Sequence, residues 1–151
     1  MRGFLSFVAI LNCFVFYSCS GENSAESGNV LSEKEKRYYP GTGVGPITDF
    51  QLASTIDLSM AKQGEKLFNA KCISCHVWSE ERRIGPGLEG VTKRRRPEWI
   101  LNQMLNPLEM TKKDSLAKEL LSIYLAQMTP MNLTQEEAIA ILEYLRKKDS
   151  E

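Results

Sequence analysis

Read as a string of apolar and polar positions, the chain divides into a leader, a polar stretch, a punctuated segment and a helical domain. An apolar run from Phe4 to Tyr17 follows the positive Arg2. It is shorter than the roughly 20 residues of a membrane-spanning helix and fits a secretory signal peptide. Residues 20–36 are polar, with too few large apolar side chains to repay the entropy of ordering them, and read as a tether. Tyr38 to Ile47 then mixes tyrosines with Gly41, Gly43, Gly45, Pro40 and Pro46, which predicts an extended, turning segment. Two tyrosines, Val44 and Ile47 are costly to expose, so packing along the domain as an N-terminal strap is favoured over free solvation.

From residue 58 onward the apolar positions recur at helical spacing. Ser59 is the expected N-cap of a helix bearing Met60, Gly64, Leu67 and Phe68. A glycine inside a helix costs about 1 kcal/mol relative to alanine and is best tolerated where another helix comes close. Gly64 and Phe68, one turn apart, therefore predict a helix crossing. Pro97 opens a short helix with Trp99, Ile100 and Met104, ended at Asn106-Pro107. Asp114 caps a helix whose apolar face is Leu116, Leu120, Leu121, Tyr124 and Leu125. Thr134 and Glu137 form a T-x-x-E capping box for a last helix that buries Ile141, Leu142, Tyr144 and Leu145. No stretch alternates as a strand does. The expectation is all-α, with about four short helices.

Composition narrows the class. At 151 residues, 42% hydrophobic and 25% charged, the chain has the make-up of one globular domain, and its formal net charge of zero gives no reason to expect a nucleic-acid partner. The four cysteines fall in two places: Cys13 and Cys19 in or beside the leader, and Cys72 with Cys75 in the domain. No disulfide framework is left over. The leader ends in Phe16-Tyr17-Ser18-Cys19, which resembles a relaxed bacterial lipobox, although aromatic residues there depart from the commonest pattern. On that resemblance residues 1–18 are a lipoprotein-type signal peptide and Cys19 carries a lipid anchor. Conventional cleavage nearby and an uncleaved apolar anchor are the alternatives. Each of these readings leaves the domain outside the cytoplasm, on the periplasmic side of a bacterial membrane.

The chemistry centres on Cys72-Ile73-Ser74-Cys75-His76, a Cys-x-x-Cys-His. Two thiols one turn apart can each form a thioether with a haem vinyl group, and the adjacent imidazole then reaches the iron. His76 is the chain's only histidine, so an imidazole ligand has to be His76. A structural zinc would need four ligands, and there is neither a second pair nor a second histidine. A thioredoxin-like site expects a preceding strand, whereas a helical pattern precedes this motif. After it comes Ile84-Gly85-Pro86-Gly87-Leu88. A metal-bound imidazole normally donates its other N–H to an acceptor, and the Pro86 carbonyl is the candidate; an ordinary Gly-Pro-Gly turn is the equal alternative. The basic run Lys93-Arg94-Arg95-Arg96 is either a solvated face or a partner for haem carboxylates.

These features together resemble the monohaem class I cytochromes c. The resemblance covers residues 58–148 and rests on Gly64 and Phe68, CISCH, the I-G-P-x-L run, a methionine-containing loop and the L-T-x-E-E…I-L-x-Y-L last helix. It implies a cytochrome c-like bundle around one haem c attached through Cys72 and Cys75, in a domain spanning 58–151 behind a 19–57 tether and strap. It also implies that Gly64 and Phe68 meet Ile141 and Tyr144. In related bacterial proteins the second axial ligand lies six residues before the capping Ser or Thr of the last helix, which selects Met128, with Thr134 as the cap, over Met131. The usual Met-Pro pair is interrupted here by Thr129, which keeps Met131 in play. Met60, Met104 and Met110 are expected in the core. Trp99 and the arginines occupy the region that meets the haem propionates, with Arg94, Arg95 and Arg96 undistinguished.

His76 and Met128 as axial ligands would leave no vacant iron site, which implies an electron carrier serving membrane-associated redox partners of a respiratory chain, such as a terminal oxidase or a denitrification-type reductase. Neither an enzymatic activity nor a small-molecule substrate is expected on that reading. The competing reading is a haem enzyme, such as a peroxidase, with an open axial position.

Overall fold

A computed structural model describes residues 33–151. The leader and Cys19 lie outside the described residues. These contain seven helical segments and no strand: α1 (Glu33–Lys36), α2 (Leu58–Lys71), α3 (Val91–Arg94), α4 (Pro97–Leu105), α5 (Pro107–Lys113), α6 (Ser115–Tyr124) and α7 (Gln135–Ser150). The molecule is all-α, with more segments than the four that periodicity suggested. The additional ones are short. α1 and α3 are single turns, and α5 begins at Pro107 itself, because a proline that ends one helix is also suited to the first position of the next.

The frame is set by α2 crossing α7. A Cβ placed on Gly64 would lie 1.9 Å from the Ala140 carbonyl oxygen, so the two backbones touch where only hydrogen fits. One turn on, the rings of Phe68 and Tyr144 pack with centroids 5.3 Å apart. The crossing read from the glycine is therefore present. The helix cap differs from expectation: Asp57, not Ser59, is the N-cap of α2. Its carboxylate accepts from the Ser59 and Met60 amides at 2.8 and 3.0 Å, while the Ser59 hydroxyl also donates to it. A carboxylate facing free amides at a helix start outcompetes a hydroxyl inside the first turn, because it also complements the dipole.

The other caps follow the sequence. Thr134 and Glu137 make both hydrogen bonds of the capping box that opens α7. Asp114 caps α6 through the Ala117 amide and, nearly buried, also accepts from Trp99 Nε1 (3.1 Å) and the Tyr39 hydroxyl (3.0 Å). α6 stops at Tyr124 because Leu125 turns left-handed, with φ 52°, and Leu125 stands 85% exposed instead of joining the apolar face.

Residues 37–47 run across α4, α5 and α6. Tyr39 N donates to the Arg94 carbonyl, and Arg95 donates to the carbonyls of Glu35 and Arg37, each at 2.7 Å. Asn102, buried in α4, closes a side-chain clamp: its amide donates to the Thr42 and Ile47 carbonyls, and its oxygen accepts from Ile47 N. The Met110 sulfur accepts from Val44 N at 2.9 Å, which gives Met110 the core position expected of it. The end of the stretch whose composition reads as tether thus forms a helical turn, α1.

Candidate haem site

The last turn of α2 delivers the cysteine motif. Cys72 N donates to the Phe68 carbonyl, and the amides of Cys75 and His76 both donate to the Cys72 carbonyl, so CISCH continues as one further tight turn. Both thiols and the imidazole consequently line a single cavity of about 380 Å³, whose wall is mostly apolar. Burial pushes the Cys72 thiol up to about 11.

The following loop is folded back onto the motif. Gly85 N donates to the Cys75 carbonyl and Leu88 N to the Val77 carbonyl. This brings the Pro86 oxygen to 2.9 Å from His76 Nδ1, the distance of a hydrogen bond in which the ring donates. Burial lowers the His76 pKa, opposed in part by that bond, so the ring is held neutral with Nδ1–H fixed and Nε2 left with its lone pair. Gly85 permits the fit: a Cβ there would come within 2.7 Å of His76 Cε1.

Of the sequence-selected residues, Cys72, Cys75, His76, Pro86, Trp99 and Met128 all line this cavity. Met131 lines it too, so the cavity wall alone does not separate the two methionines. They differ in their contacts. Met128 packs against the core, and its sulfur accepts from Gln103 Nε2 at 3.5 Å. Met131 offers its carbonyl to Lys71 Nζ at 3.1 Å. Met104 is buried on α4 and forms part of both core and cavity wall.

The basic run divides. Arg96 faces away and pairs with Glu98 at 2.8 Å, whereas Arg94 and Arg95 reach the cavity. Arg94 donates to the carbonyls of Gly87 and Glu89, bracing the loop that holds Pro86. Arg95 is buried among strap carbonyls, and burial beside Arg94 lowers its pKa to about 10. The Trp99 indole forms wall, with its N–H already given to Asp114.

Three contributors escaped sequence reasoning. Glu35 from α1 and Tyr124 at the end of α6 both line the cavity and are joined by a hydrogen bond from the tyrosine hydroxyl to the carboxylate. Burial, reinforced by Glu35, raises the Tyr124 pKa and keeps the hydroxyl protonated. Gln103 is the third. Tyr124 was visible only as one more apolar-face position, and nothing local marks Glu35, 89 residues away from its partner.

The donor set fits a haem c. The paired thiols on one turn, the lone imidazole locked by a carbonyl, the glycine-lined approach and the apolar cavity match a flat group held by two thioethers. Among the described residues no group of three or more His, Cys, Asp or Glu is placed to hold a metal ion by itself.

Comparison with known proteins agrees. The family model described as cytochrome c matches residues 61–149. The structure of cytochrome c from Rhodothermus marinus is 47% identical, with a TM-score of 0.68, and the match covers 70% of this chain and 90% of that one. An engineered form of that protein, Rma TDE, is 45% identical over 71% of this chain and 92% of its own, with a TM-score of 0.68. The same engineered protein bound to a carbene intermediate gives 45% identity, the same coverage and a TM-score of 0.66. A search of curated proteins finds no match. This chain therefore belongs to the cytochrome c family, binding haem c covalently through Cys72 and Cys75 and transferring electrons between redox protein partners.

Proposed function

We propose that this protein is an extracytoplasmic, membrane-tethered electron carrier in which His76 and Met128 take the two axial positions of the haem iron. The iron, when bound, supplies a one-electron couple. The protein's part is to hold both ligands and keep the cavity dry. The observation that carries the reading is the 2.9 Å contact between His76 Nδ1 and the Pro86 carbonyl, which presets the tautomer and leaves Nε2 as the ligating atom. Pro86 and Trp99 are then positioning and wall residues. A thioether in the second position favours the ferrous state and leaves no vacancy for a substrate.

Met128 is preferred to Met131 because it lies six positions before Thr134 and because its side chain packs on the core. In oxidised protein the weak far-red methionine-to-iron band is expected to disappear in Met128→Ala and persist in Met131→Ala. The opposite pattern would transfer the ligand role to Met131.

Among the described residues no helix is long and apolar enough to cross a membrane. Tethering in this reading comes from a lipidated Cys19 on the periplasmic side, exposed as the first residue when a lipoprotein-type signal peptide of residues 1–18 is removed. A tether raises the effective concentration of the domain near membrane-bound donors and acceptors, of which a terminal oxidase or a denitrification-type reductase suits a high-potential carrier. Cys19→Ser is expected to move the protein from the membrane to the soluble fraction; unchanged fractionation would exclude the lipid anchor.

The engineered relative bound to a carbene intermediate is the observation that favours a second reading, a haem enzyme with an open axial site. Closed axial coordination in this chain is the property that separates the two.

A further inference from the structure

Among the described residues the cavity wall holds a single carboxylate. Of the charged side chains that line it, Lys71, Arg94 and Arg95 are basic and Glu35 alone is acidic. Glu35 comes from α1, a single turn whose place is fixed by three contacts. Arg95 donates to its backbone carbonyl at 2.7 Å, the neighbouring Lys36 pairs with Glu80 at 2.8 Å, and the Glu35 carboxylate, on a residue only 5% exposed, accepts from the Tyr124 hydroxyl. Arg82 in turn stacks over the Tyr124 ring, 4.6 Å from its centroid. Burial lowers the pKa of both Arg94 and Arg95, and the charge of Glu35 is among the groups that oppose it, so that charge is felt across the wall. A carboxylate in a mostly apolar wall is costly. An apolar side chain would seat α1 there with less desolvation if anchoring were the whole role.

We propose that Glu35, delivered into the cavity wall by the N-terminal segment, lowers the reduction potential of the haem site through the negative charge of its carboxylate. The inference rests on haem c being attached at Cys72 and Cys75, and not on which methionine is the second ligand. Reduction adds one electron to the enclosed group, and a fixed negative charge beside it opposes that step. The low dielectric of an apolar cavity keeps the opposition strong. Arg94 and Arg95 stay in place when Glu35 is neutralised, so the wall becomes more positive and the ferrous state gains. The sign separates this role from anchoring. Loosening the strap would admit water, which stabilises the more highly charged ferric site and lowers the potential. Losing the carboxylate charge raises it.

Glu35→Gln removes the charge while keeping an oxygen for the Tyr124 hydroxyl, and Glu35→Asp keeps the charge on a shorter arm. Full-chain holoprotein of each is equilibrated with a reference redox dye at neutral pH. The glutamine variant is expected to shift the reduction equilibrium roughly four- to fifteenfold toward the ferrous form, the span of one unit charge acting over about 10 Å at an effective dielectric constant of about 20 to 40. The aspartate variant should stay closer to the parent protein than to the glutamine variant. Amide exchange at residues 37–47 should be the same in the glutamine variant as in the parent, which shows the strap still seated. An equal rise of potential in both variants would assign the effect to packing, and faster exchange in the glutamine variant would make Glu35 an anchor of the strap. Either result overturns the proposal, as does an unchanged or lowered potential in the glutamine variant.

Discussion

Gly85 shows how narrowly the site is built at the scale of single residues. A methyl group there would come within 2.7 Å of the His76 ring, and the alternatives are to move the imidazole or to lift the loop that carries Pro86. Either change breaks the hydrogen bond that fixes Nδ1–H. Gly85→Ala is therefore expected to leave the thioethers intact but to weaken axial binding by His76, read as partial loss of the low-spin spectrum and a shifted potential; an unaltered spectrum would show that the loop yields without disturbing the ring. Asp57 offers a pH test. The amides of Met60 and Ser59, with the Ser59 hydroxyl, hold its carboxyl below the ordinary aspartate range. A depressed pKa in the folded state means that its stabilisation is present above the unfolded value, about 3.9, and is lost as pH falls through the folded one. Asp57→Asn should flatten the loss of thermal stability on acidification below about pH 4, and an identical acid profile would remove the carboxylate from the account.

At the scale of elements, the α2–α7 crossing is the least forgiving. Gly64→Ala drives a Cβ into the Ala140 carbonyl, backbone against backbone, and should cost about 3 kcal/mol, the upper part of the range for overpacking, seen as a lower denaturation midpoint in holoprotein. Thr134→Ala removes one arm of the capping box at an exposed helix start and should cost about 1 kcal/mol. The contrast explains what was legible in the chain. CISCH, Asp114 and the T-x-x-E box are local signals, in which the residue that acts and the backbone it acts on are within four positions, and the lone glycine is legible because it is costly inside a helix unless a neighbour comes close. The α5 helix was hidden because its seven residues, beginning at a proline and ending before a capping aspartate, carry too little periodicity to read. Asp57 and Ser59 are both good caps by residue type, and only the backbone geometry decides between them. Leu125 was put on an apolar face because a left-handed end to α6 leaves no mark in a leucine.

For the molecule as a whole, the segment before α2 is more than a spacer. Its backbone is tied to Arg94, Arg95 and Asn102, and Glu35 reaches the cavity wall beside Tyr124. Such contacts span 55 to 89 residues of sequence, which is why composition reads the stretch near Glu35 as tether. Asn102→Ala removes a clamp of three buried or half-buried hydrogen bonds and leaves the Ile47 amide and carbonyl unpaired. It is expected to cost about 2–3 kcal/mol and to speed amide exchange at residues 42–47 while sparing α2 and α7. Exchange protection unchanged in that segment would mean that the strap is held by its aromatic and apolar contacts alone. In the proposed reading, a group lined by the cavity and ligated on both sides would change charge with little rearrangement, which is what carrying an electron requires. The most direct test of that closed coordination is a carbon monoxide titration of the reduced, unmodified holoprotein at neutral pH. Both axial positions being filled predicts a visible spectrum that does not change with added gas, whereas stoichiometric, tight binding would reveal an open iron and contradict the assignment of this protein as a simple carrier.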